Sequence, residues 1–342
     1  MPMTATQSPS VADEPTRPRR RGIQERVVND ISHYALVIVG AVIVLIFALT
    51  TSQFWTTSNF SNIATADSVT LLLAVAVTVP LRAGGFDLSV SGTLIDAAIL
   101  ADILTTRYSM AWPLALLVTV AAAALVGLVN GILIVDLGLD GFIVTLGMST
   151  LLTGIGFGLS GDTVLFNVPS AVLNVNRTDV FGSLPVACVY GWVIACVVGW
   201  IIGKTPVGRR LAVVGTSRET AALIGLRVSR LRRTTYVCSA VLAAAAGFIL
   251  LGVIGSVDPG SGSAYLLAPF SAAFLGTTIG RSGRFNVLGT VIALYVLSIT
   301  EQGLVLVGAP SWIADVFNGA ALVGTLIFAK VWRGRLSRRP VR

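Results

Sequence analysis

The chain has 342 residues, of which 54% are hydrophobic and only 12% are charged, and its mean hydropathy is +0.85. A soluble globular domain of this size needs a far more charged surface, so the composition excludes that class. The 24 Lys and Arg residues outnumber the 16 Asp and Glu residues and give a net charge of +8. Because the basic residues lie between apolar segments, orientation in a membrane and contact with anionic lipid explain them more simply than nucleic acid does.

Residues 1–30 are polar, rich in proline and contain the basic cluster Arg17–Arg21. This composition predicts a disordered, basic cytosolic tail. An apolar run follows at Tyr34–Leu49, which makes a secretory signal the alternative. The tail is long for the basic start of a signal and no clear small-residue cleavage site follows, so we expect a retained first helix.

Ten segments are apolar and long enough to cross a bilayer, which takes about 20 helical residues. They are 32–51, 63–81, 90–106, 112–136, 141–160, 184–203, 234–256, 264–280, 286–307 and 311–331. The weakest is 90–106, because it carries Asp96 and Asp102. If the segment 90–106 did not cross, the basic loops would lie on both sides of the membrane. We therefore count it as a span, which could be tilted or partial.

With ten crossings, every Lys and Arg except Arg107 and Arg177 lies on one side of the membrane. Cytoplasmic loops are enriched in Lys and Arg, so both termini are expected inside. The sequence therefore predicts an all-α membrane protein, a polytopic bundle of about ten transmembrane helices. Its transmembrane domain covers 31–332, and a basic cytosolic tail covers 333–342.

Three segments interrupt the apolar pattern. The first, 82–92, joins a glycine pair to a carboxylate and two hydroxyls inside apolar sequence. The second is the loop 161–182, expected outside, and the third is the basic loop 204–233, expected inside. An ionisable group at membrane depth costs at least about 2.5–3.5 kcal/mol, so the carboxylate of the first break should be buried in protein, paired or hydrated.

Two roles are open for that carboxylate, Asp87. It could accept hydrogen bonds from the backbone N–H groups of Ser89 and Val90 at the start of the next helix, as an N-cap does, or it could line a solute path beside Ser89. The cap is the favoured interpretation. The residues assigned to this structural motif or to the candidate path are Gly84, Gly85, Asp87, Ser89, Asn130 and Thr145.

Small residues recur along two predicted spans. Gly127 and Gly131 are four apart on one span, and Gly154, Gly156 and Gly158 follow on the next. Small residues let helix backbones approach closely in lipid, so this pattern predicts helix packing.

The sequence offers no catalytic set. His33 is the single histidine, and no Cys or carboxylate cluster stands around it at metal-ligand spacing. Gly199–Thr205 is similar to a phosphate-binding loop, but it has three residues between its glycines where that loop needs four. We therefore predict no catalytic residue, no metal site and no enzymatic activity, and any nucleotide must bind another polypeptide.

Four motifs follow one another along the chain. They are Gly-Gly-Phe-Asp-Leu-Ser-Val at 84–90; Asn-Gly at 130–131 with Phe-Ile-Val-Thr-Leu-Gly at 142–147; Thr205-x-x-Gly208-Arg209 with Gly215, Ala221, Ala222, Gly225 and Leu226; and Gly276 with Gly289 and Thr290. In order and separation they resemble the permease subunits of ribose/xylose-type carbohydrate ABC importers, over about residues 55–332.

The resemblance implies a multi-pass translocation subunit in the bacterial plasma (inner) membrane. Such a subunit pairs with a second permease, identical or not, takes solute from an extracytoplasmic solute-binding protein and works with a cytosolic ABC ATPase. No cofactor is then expected on this chain, because ATP and Mg would be bound by the ATPase.

The resemblance also assigns coupling to the ATPase to the loop 204–233. A short helix is expected over Glu219–Leu226, with Ala221, Ala222 and Leu226 as its contact face. The residues assigned to coupling are Arg209, Gly215, Ala221, Ala222 and Gly225.

The expected cargo is a neutral sugar or polyol. A fixed charge would need a compensating charge along the path, and no basic residue lies well inside a predicted span. Hydroxyl and amide groups do occur there, at Asn130, Thr145, Ser149, Thr153 and Ser298. The sequence does not identify the solute.

Other functions stay open. The nearest is a branched-chain-type amino-acid ABC permease. A self-sufficient carrier is less favoured, and it would use coupling carboxylates drawn from Asp67, Asp96, Asp102, Glu301 and Asp315. A membrane-embedded enzyme is disfavoured by the missing catalytic set.

Overall fold

In the computed structural model the protein is mostly helical, and the structure describes residues 23–180, 182, 184–279, 284–310 and 312–337. The α-helices are α1 (Ile23–Thr50), α2 (Thr57–Arg82), α3 (Val90–Thr106), α4 (Trp112–Gly131), α5 (Gly141–Ser160), α6 (Ser170–Arg177), α7 (Val186–Lys204), α8 (Pro206–Thr216), α9 (Arg218–Leu223), α10 (Val228–Ile254), α11 (Leu267–Leu275), α12 (Val287–Leu306) and α13 (Trp312–Ser337). Short 3-10 turns occupy Ser52–Trp55, Pro259–Tyr265 and Gly276–Thr278, and a π-helical turn, Ile132–Asp136, extends α4.

Within the described residues, six helices are long and apolar enough to cross a membrane. They are α2, α4 with its π-helical extension, α5, α7, α10 and α12. The predicted helical character is therefore confirmed, with six of the described helices suited by length and composition to span a membrane. Three further predicted spans, 32–51, 90–106 and 311–331, fall on α1, α3 and α13, and the 17 residues of α3 match the weakest predicted span at both ends.

The prediction of one continuous helix over 264–280 is wrong. The segment forms α11, which has nine residues and 3-10 turns on both sides. At 1.5 Å per residue such a helix is about 14 Å long, which is half the thickness of a bilayer core. At its end Gly276 packs against the backbone of Gly289 and Thr290 so closely that no Cβ fits, and this contact with the start of α12 turns the chain.

The centre of the bundle is α2. Its seven residues from Leu71 to Val77 have no exposed surface, and the helix is packed by α7, α10, α11 and α12. A helix that is apolar on every side is stable only when it is surrounded, which explains its position. By contrast α5 buries a single stripe, formed by Thr145, Leu152, Gly156 and Ser160, and packs with it on α3.

The predicted packing role of the small residues is confirmed for one helix pair. A Cβ at Gly127 would meet the backbone of Val237 at 2.8 Å, and one at Gly131 would meet Arg233 at 3.2 Å, so α4 lies directly against α10. On α5, Gly156 packs against Asp96, whereas Gly154 and Gly158 have no described atom within 4 Å of their Cβ positions. The outer face of α5 is therefore open.

The loop 161–182 carries structure of its own. It contains α6 and strand β1 (Asp179–Val180), which pairs antiparallel with β2 (Leu184–Pro185). Arg177 donates from Nε to the carbonyl oxygens of Gly252 at 3.0 Å and Val253 at 3.1 Å. A cation at a helix C-terminus is favourable, so this residue fixes the loop to the end of α10.

Candidate functional site

The chain breaks sharply after α2, between Arg82 and Val90. Pro80 lies in the last turn of α2, and its carbonyl accepts hydrogen bonds from the N–H groups of Ala83 and Gly85, each at 2.9 Å. Gly84 has a φ of +72°, a conformation that favours glycine and ends helices. A Cβ at Gly85 would lie 2.6 Å from the hydroxyl oxygen of Tyr236, so the break packs tightly on α10.

Asp87, Ser89 and Asn130 form a buried chain of hydrogen bonds across the break. Oδ1 of Asp87 accepts from the backbone N–H of Ser89 at 3.1 Å and from its hydroxyl at 2.6 Å. The same hydroxyl oxygen accepts from Nδ2 of Asn130 at 2.8 Å, and all three side chains are at most 1% exposed. The chain holds the start of α3 against α4.

The expected cap is found in a modified form. The bond to the Ser89 N–H is present, but the structure gives none to Val90, and Ser89 itself occupies the N-cap position of α3. The carboxylate thus holds the cap residue rather than the first turn. Its Oδ2 has no hydrogen-bond partner among the described residues.

The break lies directly against the loop 204–233, which joins α7 to α10. Gly215, near the end of α8, packs on the backbone of Arg82 and Ala83 so closely that no Cβ fits. The next helix adds a second contact, since Nη2 of Arg218 donates to the carbonyl of Gly84 at 3.4 Å. A movement of this loop would therefore displace the break.

The fourth motif meets the break from the other side. The Arg82 guanidinium donates to the carbonyl of Phe285, and the hydroxyls of Thr78 and Thr290 lie 3.0 Å apart in the core. Asn286 caps α12 by accepting from the N–H of Gly289 at 2.6 Å. The structure thus places residues of the first three motifs at the break and joins Arg82 to Phe285, which lies between the two parts of the fourth motif.

The short helix of the loop differs from its prediction. It is α9, Arg218–Leu223, because the Ser217 hydroxyl accepts from the N–H of Thr220 at 3.2 Å and starts it, while Gly225, at a φ of +80°, follows its end. Ala221 has no exposed surface in this structure, and the coupling role assigned to it stays a prediction.

The exposed face of this segment is more apolar than expected. Ala222 is exposed, and beside it Leu223 is 87% exposed and Ile224 62% exposed. Arg209 is exposed on α8, where its guanidinium donates to the carbonyl of Lys204 at 3.2 Å. The sequence-based assignment of the contact face did not include Leu223 and Ile224. An apolar pair in a basic loop is nevertheless a pattern that could have indicated them.

A cavity of about 600 Å³ opens beside the break. It lies between residues 84–86, the turn 134–142 that follows α4, and the side chains of Arg218, Arg232 and Tyr236. Nearby, Arg233 forms an ion pair with Asp136 at 3.3 Å, which ties that turn to α10. This cavity could not be predicted from the sequence, because its lining residues come from four separate segments.

The hydroxyls predicted for a path are not brought together. Thr145 is buried and donates to the carbonyl of Gly141 at 2.7 Å, within its own helix. The hydroxyls of Ser149 and Ser91 lie 3.2 Å apart between α5 and α3, whereas Ser298 donates to Asp67 at 2.7 Å between α12 and α2. These groups mainly join helices.

Known proteins resemble this chain over most of its length. The family described as "Branched-chain amino acid transport system / permease component" matches residues 59–326. Proteins named autoinducer 2 import system permease protein LsrD, from Escherichia coli strains SMS-3-5 and K12 and from Shigella flexneri, are each 27% identical over 299 residues, which cover 83% of this chain and 90% of the relative. No solved structure matches the chain.

The family match covers well over half of the chain and contains the break, the loop that follows α7 and the six apolar helices apart from the first two residues of α2. The resemblance to the permease of an ABC importer is confirmed, and this multi-pass membrane protein belongs to that family of permease components.

Proposed function

We propose that this chain is the translocation subunit of an ATP-driven importer in the bacterial inner membrane and that its cargo is a neutral sugar, polyol or similar polyhydroxylated solute. The observation that carries the proposal is the contact of Gly215 and Arg218 with the break at residues 82–84. It gives a loop outside the apolar helices a direct mechanical connection to a non-helical segment between two of them.

In the proposed orientation both termini face the cytoplasm and the chain crosses the membrane ten times. The tails 1–30 and 333–342 then flank the domain 31–332, although α1 already begins at Ile23 and α13 continues to Ser337, so both helices extend past these boundaries. The short α11 then crosses together with its flanking turns. Irregular backbone at membrane depth is tolerated when protein surrounds it, and most of α11 is buried against α2, α12 and α13.

The cytosolic ABC ATPase is proposed to bind the surface formed by Ala222, Leu223 and Ile224. Exposed apolar groups that are rimmed by charge mark contacts with partners, and this surface stands in the most basic loop of the chain. ATP and Mg would be bound by the ATPase, and motion would pass through α9 and Gly215 to the break. Arg209 and Gly225 position the two short helices in this scheme.

A second permease is proposed to cover the open face of α5. Gly147, Gly154 and Gly158 have no described atom within 4 Å of their Cβ positions, so a partner helix could approach closely there.

The extracytoplasmic binding protein is proposed to contact the structured loop 161–182, which lies at the opposite end of α7 from the basic loop.

A neutral cargo is supported by the charges along the apolar helices. The Lys and Arg side chains of the six long apolar helices lie at or near helix ends, at Arg82, Lys204 and the start of α10. An anionic solute would therefore lack a counter-charge at mid-membrane. The relatives are named for the import of autoinducer 2, and the family's description keeps branched-chain amino acids as the alternative.

Uptake by reconstituted vesicles tests the proposal. Vesicles containing the permease, its ATPase and its binding protein would be offered neutral sugars, polyols, autoinducer 2, sugar phosphates and branched-chain amino acids, with ATP hydrolysis as a second readout. We expect ATP-dependent uptake of a neutral polyhydroxylated member. Selective uptake of leucine or valine would establish the amino-acid alternative, and uptake without ATP would establish a self-sufficient carrier.

A further inference from the structure

The cavity beside the break is basic and rich in hydrogen-bond donors. Arg218, Arg232 and Tyr236 line it together with the glycine-rich backbone of residues 84–86. One carboxylate, Asp140, also lines it, and that group accepts a hydrogen bond from the N–H of Ile143 at 3.1 Å, which caps α5. The two guanidinium groups therefore outnumber the carboxylate at the cavity wall.

Two of these side chains are buried beside each other. Arg232 is 7% exposed and Tyr236 is 1% exposed, and the tyrosine hydroxyl faces the guanidinium. In the part of the chain that the structure describes, Nε of Arg232 has no hydrogen-bond partner and no carboxylate forms an ion pair with this guanidinium. The adjacent Arg233 does have such a partner in Asp136, at 3.3 Å.

A buried cation without a counter-ion is costly, so this arrangement calls for an anion. Guanidinium groups bind phosphate through two parallel hydrogen bonds, and a phosphate monoester carries about two negative charges at neutral pH. We propose that the cavity binds a phosphate group between Arg232, Arg218 and the hydroxyl of Tyr236. In the orientation proposed above the cavity faces the cytosol, which supplies phosphate as the free ion, as a soluble monoester or as an anionic lipid headgroup.

The bound phosphate would also join three parts of the transport machinery. Arg218 belongs to α9 and donates to Gly84 in the break, while Arg232 and Tyr236 belong to α10. A phosphate held by all three side chains would fix the coupling segment to the membrane bundle. The proposed site is thus a regulatory site for a cytosolic anion.

Calorimetric titration of the full-length permease tests this site without requiring transport. The purified protein in maltoside detergent would be titrated at constant ionic strength with inorganic phosphate, with fructose 6-phosphate and with phosphatidylglycerol. We expect saturable binding of at least one probe. Loss of one charge-assisted hydrogen bond in Arg232→Gln or Arg218→Gln should weaken the affinity at least about tenfold.

Tyr236→Phe removes the hydroxyl while keeping the ring and should also weaken binding. The control is Arg230→Gln, an exposed basic residue in the same helix, which should bind as the wild type does. Since Arg218 is exposed, its variant keeps the test valid if Arg232→Gln fails to fold. Binding of phosphatidylglycerol alone assigns a headgroup, and binding of a soluble probe assigns a free phosphate. Absence of saturable binding of all three, or an equal loss in Arg230→Gln, would overturn the site.

Discussion

At the scale of single residues, the break after α2 depends on backbone contacts that are too close to admit a side chain at Gly85 or Gly215. Gly85 lies under the Tyr236 hydroxyl and Gly215 lies on the backbone of Arg82, so larger residues would push these segments apart. The Asp87 carboxylate and the Asn130 amide share the Ser89 hydroxyl. The glycines provide close approach, and the polar chain fixes the direction in which α3 starts.

Asp87→Asn should keep most of the stability and transport of the permease. Its amide oxygen can accept the same two hydrogen bonds that Oδ1 of Asp87 accepts from Ser89. Asp87→Ala removes the acceptor and should lower the free energy of unfolding by about 0.5–2 kcal/mol, as loss of a cap does. Thermal unfolding in detergent and folded yield measure both variants.

The matched control for that pair is Asp179→Ala, because Asp179 is exposed in β1. It should unfold at the wild-type temperature. A well-folded Asp87→Ala protein together with an Asp87→Asn protein that is inactive at normal yield would mean that the carboxylate contacts solute instead.

The local role of Asp87 could be predicted from the sequence, because a cap and its partner are two residues apart. The contacts that connect this cap to other helices could not be predicted from the sequence. Asn130 is 41 residues from Ser89, and Tyr236 and Gly215 come from still more distant helices, so only the packing of α4, α8 and α10 brings them to the break. Apolar residues at these helix surfaces do not specify which helices will be neighbours.

At the scale of elements, segments with strong composition signals were predicted well. The limits of α3 match the predicted span 90–106, since the glycine-rich segment 84–89 precedes the apolar run and the polar segment Arg107–Ser109 follows it. The failure over 264–280 has a different cause, because the segment is mostly apolar and α11 ends where Gly276 packs on the backbone of Gly289 and Thr290, a contact between distant residues. Likewise the sequence predicted Ala221 on the exposed face of its helix, but in α9 its side chain is buried.

Leu223→Glu should separate ATP hydrolysis from uptake. The side chain is 87% exposed, so the substitution should leave folding and insertion unchanged while placing a charge in the proposed ATPase contact. We expect uptake to fall at least about tenfold, the equivalent of 1.4 kcal/mol of lost contact. Uptake per ATP hydrolysed in reconstituted vesicles is the measurement.

Leu223→Met is the matched control, since methionine keeps the apolar area and the approximate volume. It should transport as the wild type does. Full uptake by the Leu223→Glu complex would show that the ATPase binds elsewhere on the permease.

At the scale of the whole molecule, the proposed topology makes a direct prediction about sidedness. Single cysteines would replace Asp179 or Arg230 in a chain whose Cys188, Cys196 and Cys238 have been changed to serine. A membrane-impermeant thiol reagent applied from outside should label position 179 and leave position 230 unlabelled until the membrane is opened. Labelling of position 230 from outside would show that the loop 204–233 faces outward. A cytosolic ATPase could then not bind at α9.

The central claim is that the loop 204–233 drives the break through Gly215. The most direct measurement is ATP-dependent uptake by reconstituted vesicles that contain Gly215→Leu, compared with Gly203→Ala, whose Cβ position has no described atom within 4 Å. We expect the Gly215 variant to assemble with its ATPase and hydrolyse ATP but to lose most uptake, because its side chain forces α8 away from the backbone of Arg82. The Gly203 variant should transport normally. Wild-type uptake by a well-assembled Gly215→Leu complex would show that the loop does not drive the break through Gly215.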